Sequence, residues 1–308
     1  MGIGKEEIGE LEISSQGLNK DNYGFINFIR CNTLMHPHSA LSIAPDARTW
    51  LTNSRHPRIL HVFDQACNLI NEQGEILSIV SPEIRNGPFN IVIEEDICYS
   101  RYLSIESPIS IFPNKLVLAD LTINTTNAIL WNSCPDWEKL YARRYEIFDQ
   151  LISLSLPIYQ PSTPDSIAFN LSSALANTDI STARIATSQL AGLGQGLTPS
   201  GDDFIMGAIL AAWIIHPVDI AKVFAGDLAV TAASLTTSLS AAWLRSAGKG
   251  EAGILWHEFC NALLTGENIE LIMTKLLSVG ETSGADAVAG FLGVFSAYKE
   301  RIIDKCPS

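Results

Sequence analysis

The residue pattern of the chain changes near residue 135, and this change constrains the fold more than any other feature. Before it, short runs rich in β-branched and aromatic residues alternate with turn signals, which is typical of an antiparallel sheet or a small barrel. These runs are Arg58–Phe63, Glu75–Val80, Asn90–Ile93, Ile109–Phe112 and Ala128–Trp131. After it, stretches rich in Ala, Leu and Ile have the apolar spacing of helices. The sequence therefore predicts an α+β protein, with a β-rich N-terminal domain at residues 1–135 and an Ala-rich helical C-terminal domain at residues 136–308.

The second half divides into segments that have Gly or Ser near their ends, as helices often do. The predicted helices are Trp137–Ser155, Ser166–Ala176, Ile180–Ala191, Asp203–Ile215, Ile220–Ala247, Ile254–Leu264, Ile269–Val279 and Asp286–Ile303. The three prolines in residues 156–164 predict a loop between the first two of these helices.

Composition excludes several classes of function. A net charge of −13 argues against nucleic-acid binding and against adhesion to anionic lipid. Only 17% of residues are charged, which favours burial of surface in a homo-oligomer or a complex. The longest uncharged apolar run, Phe204 to Ile215, is too short to span a bilayer. The six cysteines form no C-x-x-C pair, and the N-terminus lacks an apolar signal core, so we expect a cytoplasmic protein.

Residues 192–203, with the sequence GLGQGLTPSGDD, form a glycine-rich segment that leads into a helix. Glycines at 192, 194 and 196 allow positive φ and close approach to a ligand. Ser200 is the predicted N-cap of the helix, and Asp203 follows three residues later. A helix start carries unpaired amides and partial positive charge, so this segment predicts a cradle for an anion. In the alternative interpretation, the glycines serve only packing and the aspartates only cap helices.

The residues from Ser200 to Gly207 have a counterpart 83 residues later, from Ser283 to Gly290. Both copies read S-G-x-D-x-x-x-G, and each opens an apolar helix. If the two helix starts meet, their amides suit a phosphate or carboxylate, whereas their aspartates suit a hard cation such as Mg²⁺. The candidate catalytic residues are Asp202, Asp203 and Asp286. The candidate substrate-binding residues are Gly192, Gly194, Gly196, Thr198, Ser200, Gly201, Thr282, Ser283, Gly284 and Thr237. Thr237 is a candidate because it lies on a predicted helix with Thr236 and Ser240, and hydroxyls one helical turn apart can face one site.

The two motifs, together with the region from Arg58 to the Asn86-Gly87-Pro88 turn, resemble the family that includes AllH, a subunit of bacterial oxamate carbamoyltransferase. The resemblance covers most of the chain. It implies a role in allantoin degradation, beside other subunits, in the interconversion of oxalurate plus phosphate with oxamate plus carbamoyl phosphate. The chain lacks the Ser-Thr-Arg-Thr phosphate motif of the aspartate and ornithine transcarbamoylases, so a different site would have to perform this chemistry.

Three hypotheses about function follow from these observations. The first is a carbamoyltransferase subunit that handles small anions. The second is a non-catalytic scaffold or binding subunit. The third is a stand-alone enzyme that acts on a phosphorylated substrate, with Mg²⁺ held by Asp202, Asp203 and Asp286.

Overall fold

The structure is a computed structural model that describes residues 37–154, 163 and 165–305. Most of the loop predicted at residues 156–164 lies outside these residues. The strands are β1 (His38–Ile43), β2 (Arg58–Val62), β3 (Ala66–Ile70), β4 (Ile76–Val80), β5 (Asn90–Ile93), β6 (Ile109–Phe112), β7 (Lys115–Leu118), β8 (Leu121–Asn124) and β9 (Ile129–Leu130). The helices are α1 (Pro45–Asn53), α2 (Trp137–Ala142), α3 (Arg144–Ser153), α4 (Asp165–Asn177), α5 (Ile180–Leu190), α6 (Ser200–Ile215), α7 (Val218–Ala233), α8 (Ser238–Gly248), α9 (Ile254–Thr265), α10 (Ile269–Leu277) and α11 (Ser283–Lys305).

The strands form one mixed sheet in the order β2-β3-β4-β5-β1-β8-β7-β6, and β9 also pairs with β1. The β4–β5, β1–β8 and β1–β9 pairs are parallel and the other pairs are antiparallel. The sheet curves into a nearly closed barrel. Helix α1 packs the buried ring of Trp50 against its core, and the ring nitrogen donates to the carbonyl of Glu75 at 2.9 Å. The predicted β-rich first half and helical second half are therefore both confirmed.

Helix α6 forms the centre of the helical half. Nearly all of its residues are buried, as expected for a helix that is apolar on every side. It contacts α2, α4, α5, α7, α8 and α11. The position of its first turn is therefore fixed by packing on all sides.

Helices α6 and α11 cross at two glycines that occupy equivalent places in the repeated motif. A Cβ added to Gly207 would lie 1.7 Å from the carbonyl oxygen of Ala287, and one added to Gly290 would lie 2.0 Å from that of Phe204. Phe204 and Ala287 each directly follow the aspartate of their own motif. The last glycine of each S-G-x-D-x-x-x-G pattern therefore brings the two helix backbones together and sets their starts side by side.

Two predicted helices are each divided into two in the structure. The prediction of one helix at Trp137–Ser155 is wrong, because the chain turns at Arg143 between α2 and α3. The prediction of one helix at Ile220–Ala247 is also wrong, because residues 234–237 separate α7 from α8. Thr236 and Thr237 therefore lie in a connection and not within a helix.

The strands and the helices are joined by backbone hydrogen bonds. The Ala252 amide donates to Ser133 at 2.9 Å, and the Ile254 amide donates to Asn86 at 3.0 Å. The turn at Asn86-Gly87-Pro88 thus lies against the start of α9. The division into two domains at residue 135 stays a prediction. Across the described residues, no helix combines the length and apolarity needed to cross a membrane.

Candidate functional site

The glycine-rich segment forms a loop between α5 and α6. Gly192, Gly194 and Gly196 have φ values of 72°, 125° and 89°, which confirms the predicted positive φ. A Cβ on Gly194 would also lie 2.7 Å from the amide nitrogen of Ser200. Glycine at position 194 therefore lets the loop lie directly on the first residue of α6.

The second motif has the same local structure between α10 and α11. The Gly201 amide donates to the carbonyl of Leu193 at 2.8 Å, and the Gly284 amide donates to that of Val279 at 3.0 Å. Each glycine also lies against the last turn of the preceding helix, since an added Cβ would lie 2.0 Å from Leu190 O or 1.8 Å from Leu276 O. The sequence repeat thus corresponds to a repeated helix–loop–helix unit.

Asp202 holds the glycine loop in place. Its carboxylate is 1% exposed and accepts the Gly192 amide at 2.8 Å on one oxygen. The other oxygen accepts the hydroxyls of Thr236 and Ser240, the latter at 2.7 Å. With three donors on a buried carboxylate, the geometry is that of a structural anchor.

Thr237 contributes a further anchor for the same loop. Its hydroxyl donates to the Leu197 carbonyl at 2.6 Å and accepts the Ser240 amide at 3.1 Å as the N-cap of α8. The connection between α7 and α8 is therefore tied to the glycine loop on both sides, through Asp202 and through Leu197. These bonds stabilise the interruption of the helix that was predicted at Ile220–Ala247.

The two motifs meet through their hydroxyls. Thr198 Oγ1 and Ser283 Oγ lie 2.9 Å apart although the two residues are 85 positions apart in the chain. Both side chains are partly exposed. The structure therefore brings the two predicted helix starts together.

Asp203 lies beside this hydroxyl pair and differs from its neighbour Asp202. It is 6% exposed, and in the described part of the chain no hydrogen-bond partner reaches its Oδ2 atom. Burial raises the pKa of Asp203 to about 8, hydrogen bonding with Ser283 lowers it, and the charge of Asp286 raises it further. At neutral pH Asp203 therefore keeps its proton and adds no charge to the site.

Asp286 occupies the equivalent position at the start of α11 and is fully buried. Its backbone amide donates to the carbonyl of Thr282 at 2.9 Å. Thr282 itself is exposed at the edge of the site.

Several backbone amides of the glycine-rich loop remain for a ligand. Those of Gly201 and Gly284 are used by their own loops, as described above. By contrast, among the described residues the amides of Gly194, Gln195 and Gly196 donate to no protein acceptor, and these three residues are exposed. A run of consecutive unused amides is a favourable place for an anion.

The start of α6 and the aspartates beside it differ in detail from what the sequence predicts. Ser200 is not the N-cap of α6, because Pro199 occupies that position and Ser200 is the first helical residue; the fixed φ of proline suits this start. The described residues also contain no group of three or more His, Cys, Asp or Glu side chains that could hold a metal ion. Both oxygens of Asp202 already accept hydrogen bonds from the protein.

Family models match both halves of the chain. One, described as the oxamate carbamoyltransferase subunit AllH, matches residues 190–295, which contain both motifs. Another, described as the AllH family N-terminal domain, matches residues 39–130, which contain the sheet. No solved structure matches the chain.

Proposed function

Because the chain belongs to the AllH family, whose description is that of an oxamate carbamoyltransferase subunit, we propose that its paired helix starts bind the small anions of that reaction. These are oxamate or oxalurate together with carbamoyl phosphate or phosphate. The reaction would serve allantoin and purine catabolism. As the word subunit implies, the chain acts with other subunits.

The contact between Thr198 and Ser283 is the observation that carries this proposal. It brings the two motifs together and places two partly exposed hydroxyls side by side. Residues 194–196, whose amides are unused, are exposed and lie in the same loop, separated from Thr198 by Leu197. Such preformed donors suit a small oxyanion, and they would also stabilise negative charge that develops during transfer.

The charge state of Asp203 supports an anionic ligand. Three carboxylates at the paired helix starts would repel an anion if all were ionised. The buried Asp202 carboxylate accepts three hydrogen bonds within the protein, and Asp203 keeps its proton at neutral pH. The local site therefore presents more donors than its aspartates suggest, although the whole chain carries a charge of −13.

The proposed reaction needs a proton to move between two substrate atoms. When a phosphate oxygen attacks the carbamoyl carbon of oxalurate, the carbon–nitrogen bond breaks and the oxamate nitrogen takes up a proton. Hydrogen phosphate loses a proton in the same transfer. A neutral carboxyl group can give one proton and receive the other, and Asp203 is the group we assign to this task.

Calorimetry tests the proposal directly. Carbamoyl phosphate, oxamate and phosphate are titrated into the chain alone and into the complex with its partner subunits. We expect binding of at least one of these anions in one of the two states. Absence of binding in both states would refute the proposal.

A variant separates a catalytic subunit from a scaffold. The double substitution Asp203→Asn with Asp286→Asn keeps side-chain volume and removes both carboxyl groups. We expect assembly with the partner subunits to persist while carbamoyl transfer falls by at least about 100-fold, as for loss of a general acid–base group. Unchanged activity would instead identify a scaffold subunit. An increase in thermal midpoint on adding Mg²⁺ alone would favour a metal-dependent enzyme.

A further inference from the structure

The unpartnered oxygen of Asp203 has a chemistry that differs from that of the loop amides. We infer that Asp203 recognises the primary amide group of the ligand, while the amides of the glycine loop take its anionic end. The inference rests on the proposed function and makes it more specific, because it assigns the contact with the amide group of the ligand to one residue.

The buried position of Asp203 Oδ2 is the first step of the argument. A buried polar atom without a partner is costly, so such atoms are rare in folded proteins. Asp203 is 6% exposed and its Oδ2 has no partner within the described residues. The adjacent hydroxyls of Thr198 and Ser283 share a hydrogen bond with each other. Both also hydrogen-bond with the Asp203 carboxyl group, but neither satisfies its Oδ2 atom. A ligand that pairs with Oδ2 would therefore remove an existing cost.

The carboxyl groups around Asp203 determine whether a charged or a neutral ligand group is favoured beside it. The carboxyl groups that act on Asp203 are Asp202 on the same helix and Asp286 on α11, and both repel negative charge at this place. A carboxylate oxygen of the ligand is therefore disfavoured as the partner of Asp203 Oδ2. A neutral group that donates N–H is favoured.

The proton on Asp203 completes the match. A neutral carboxyl group offers one O–H donor and one carbonyl acceptor. A primary amide offers the complementary carbonyl acceptor and N–H donor. The loop amides of residues 194–196, which lie away from these carboxyl groups along the chain, remain for the carboxylate of the same ligand.

Oxamate and pyruvate provide a matched pair of probes, because pyruvate carries a methyl group where oxamate carries its amino group. Their carboxylate and neighbouring carbonyl are the same. Both are titrated into the assembled complex and into the chain alone. We expect oxamate to bind about tenfold more tightly than pyruvate, since pyruvate leaves the acceptor of Asp203 unpaired.

Two variants at one position sharpen the test. Asp203→Asn keeps a carbonyl acceptor and an N–H donor, so the preference for oxamate should persist. Asp203→Leu keeps the branched outline of the side chain and has no polar group, so the two ligands should bind with the same affinity. Asp179→Asn is the control, because Asp179 is an exposed N-cap at the opposite end of α5 from the glycine loop. That variant should behave as the unmodified protein.

The outcomes distinguish this inference from the proposed function. Equal affinities for oxamate and pyruvate in the unmodified protein would overturn the amide assignment and leave anion binding intact. A preference that survives in Asp203→Leu would also overturn it. If neither ligand nor phosphate binds the chain or the complex, both proposals are wrong.

Discussion

Thr198 Oγ1 lies 2.9 Å from Ser283 Oγ, so one hydrogen bond joins the two motifs through residues that are 85 positions apart in the chain. The bond lies at the starts of α6 and α11, which cross at Gly207 and Gly290. A repeated sequence has therefore produced two similar helix starts that face a common place.

A double-mutant cycle measures this bond. Thr198→Val and Ser283→Ala should each lower the free energy of unfolding, and the double variant should lose less than the sum of the two. We expect a coupling energy of about 0.5–1.5 kcal/mol, the usual net value of one hydrogen bond. Urea unfolding of the four proteins provides the measurement. Strict additivity would show that the two hydroxyls do not interact in solution.

The crossing of α6 and α11 should not tolerate a side chain at Gly207. Gly207→Ala places a methyl group where the Ala287 carbonyl lies 1.7 Å away, so a helix backbone has to move. We expect a loss of about 3 kcal/mol or more in the free energy of unfolding.

Gly226→Ala is the matched control for that substitution. Gly226 lies inside α7 and an added Cβ would meet nothing within 4 Å. Because alanine favours the helix over glycine, this variant should gain about 0.5–1 kcal/mol. Equal effects of the two substitutions in urea unfolding would contradict the close crossing.

The raised pKa of Asp203 makes stability depend on pH. Its value in the folded protein is about 8, whereas an aspartate in an unfolded chain titrates near pH ~3.9. Between these values the folded protein holds a proton that the unfolded chain has released. The free energy of unfolding therefore falls as pH rises through this range, by about 1.4 kcal/mol per pH unit for this group, and its contribution is constant above it.

Asp203→Asn removes this titration. We expect the variant to gain stability relative to the unmodified protein as the pH is raised from about 5 to about 8.5, by an amount on the order of several kcal/mol. Urea unfolding of both proteins at the two pH values provides the test. A stability difference that is the same at both pH values would show that Asp203 does not titrate in this range.

Asp202 should behave in the opposite way from its neighbour. Asp202→Asn replaces one acceptor oxygen by a donor that faces the hydroxyls of Thr236 and Ser240. We expect a loss of about 1–3 kcal/mol near neutral pH, because a buried set of charge-assisted hydrogen bonds is broken. Asp203→Asn under the same conditions should cause no such loss. Hydrogen exchange at the Gly192 amide, which Asp202 accepts at 2.8 Å, would report the loosening of the loop.

Much of the fold could be predicted from the sequence because local pattern and burial agree. Strands β5 and β6 begin and end where the apolar runs predict. Strand β3 was missed because Asn68 lies at its centre, where it is buried and accepts the Ser78 hydroxyl at 2.6 Å. The turn between β7 and β8 was missed because Ala119 supplies its positive φ of 49° without a glycine.

The site was predicted in outline, and its detail depends on contacts between distant residues. The motif itself identifies the glycine loop and the two helix starts. No local pattern distinguishes Asp202, which the hydroxyls of Thr236 and Ser240 saturate, from Asp203, which keeps an unpartnered oxygen. That difference arises because the break between α7 and α8 places the hydroxyls of Thr236 and Ser240 beside Asp202 and not beside Asp203.

The central claim is that the paired helix starts bind a small anion, and titration of oxamate into the Thr198→Val, Ser283→Ala double variant tests it most directly. The variant removes the two hydroxyls that join the motifs and keeps the volume of Thr198. In the complex with its partner subunits, we predict that oxamate affinity falls at least about tenfold relative to the unmodified protein, while assembly is unchanged. Oxamate that binds both proteins with the same affinity would contradict the account.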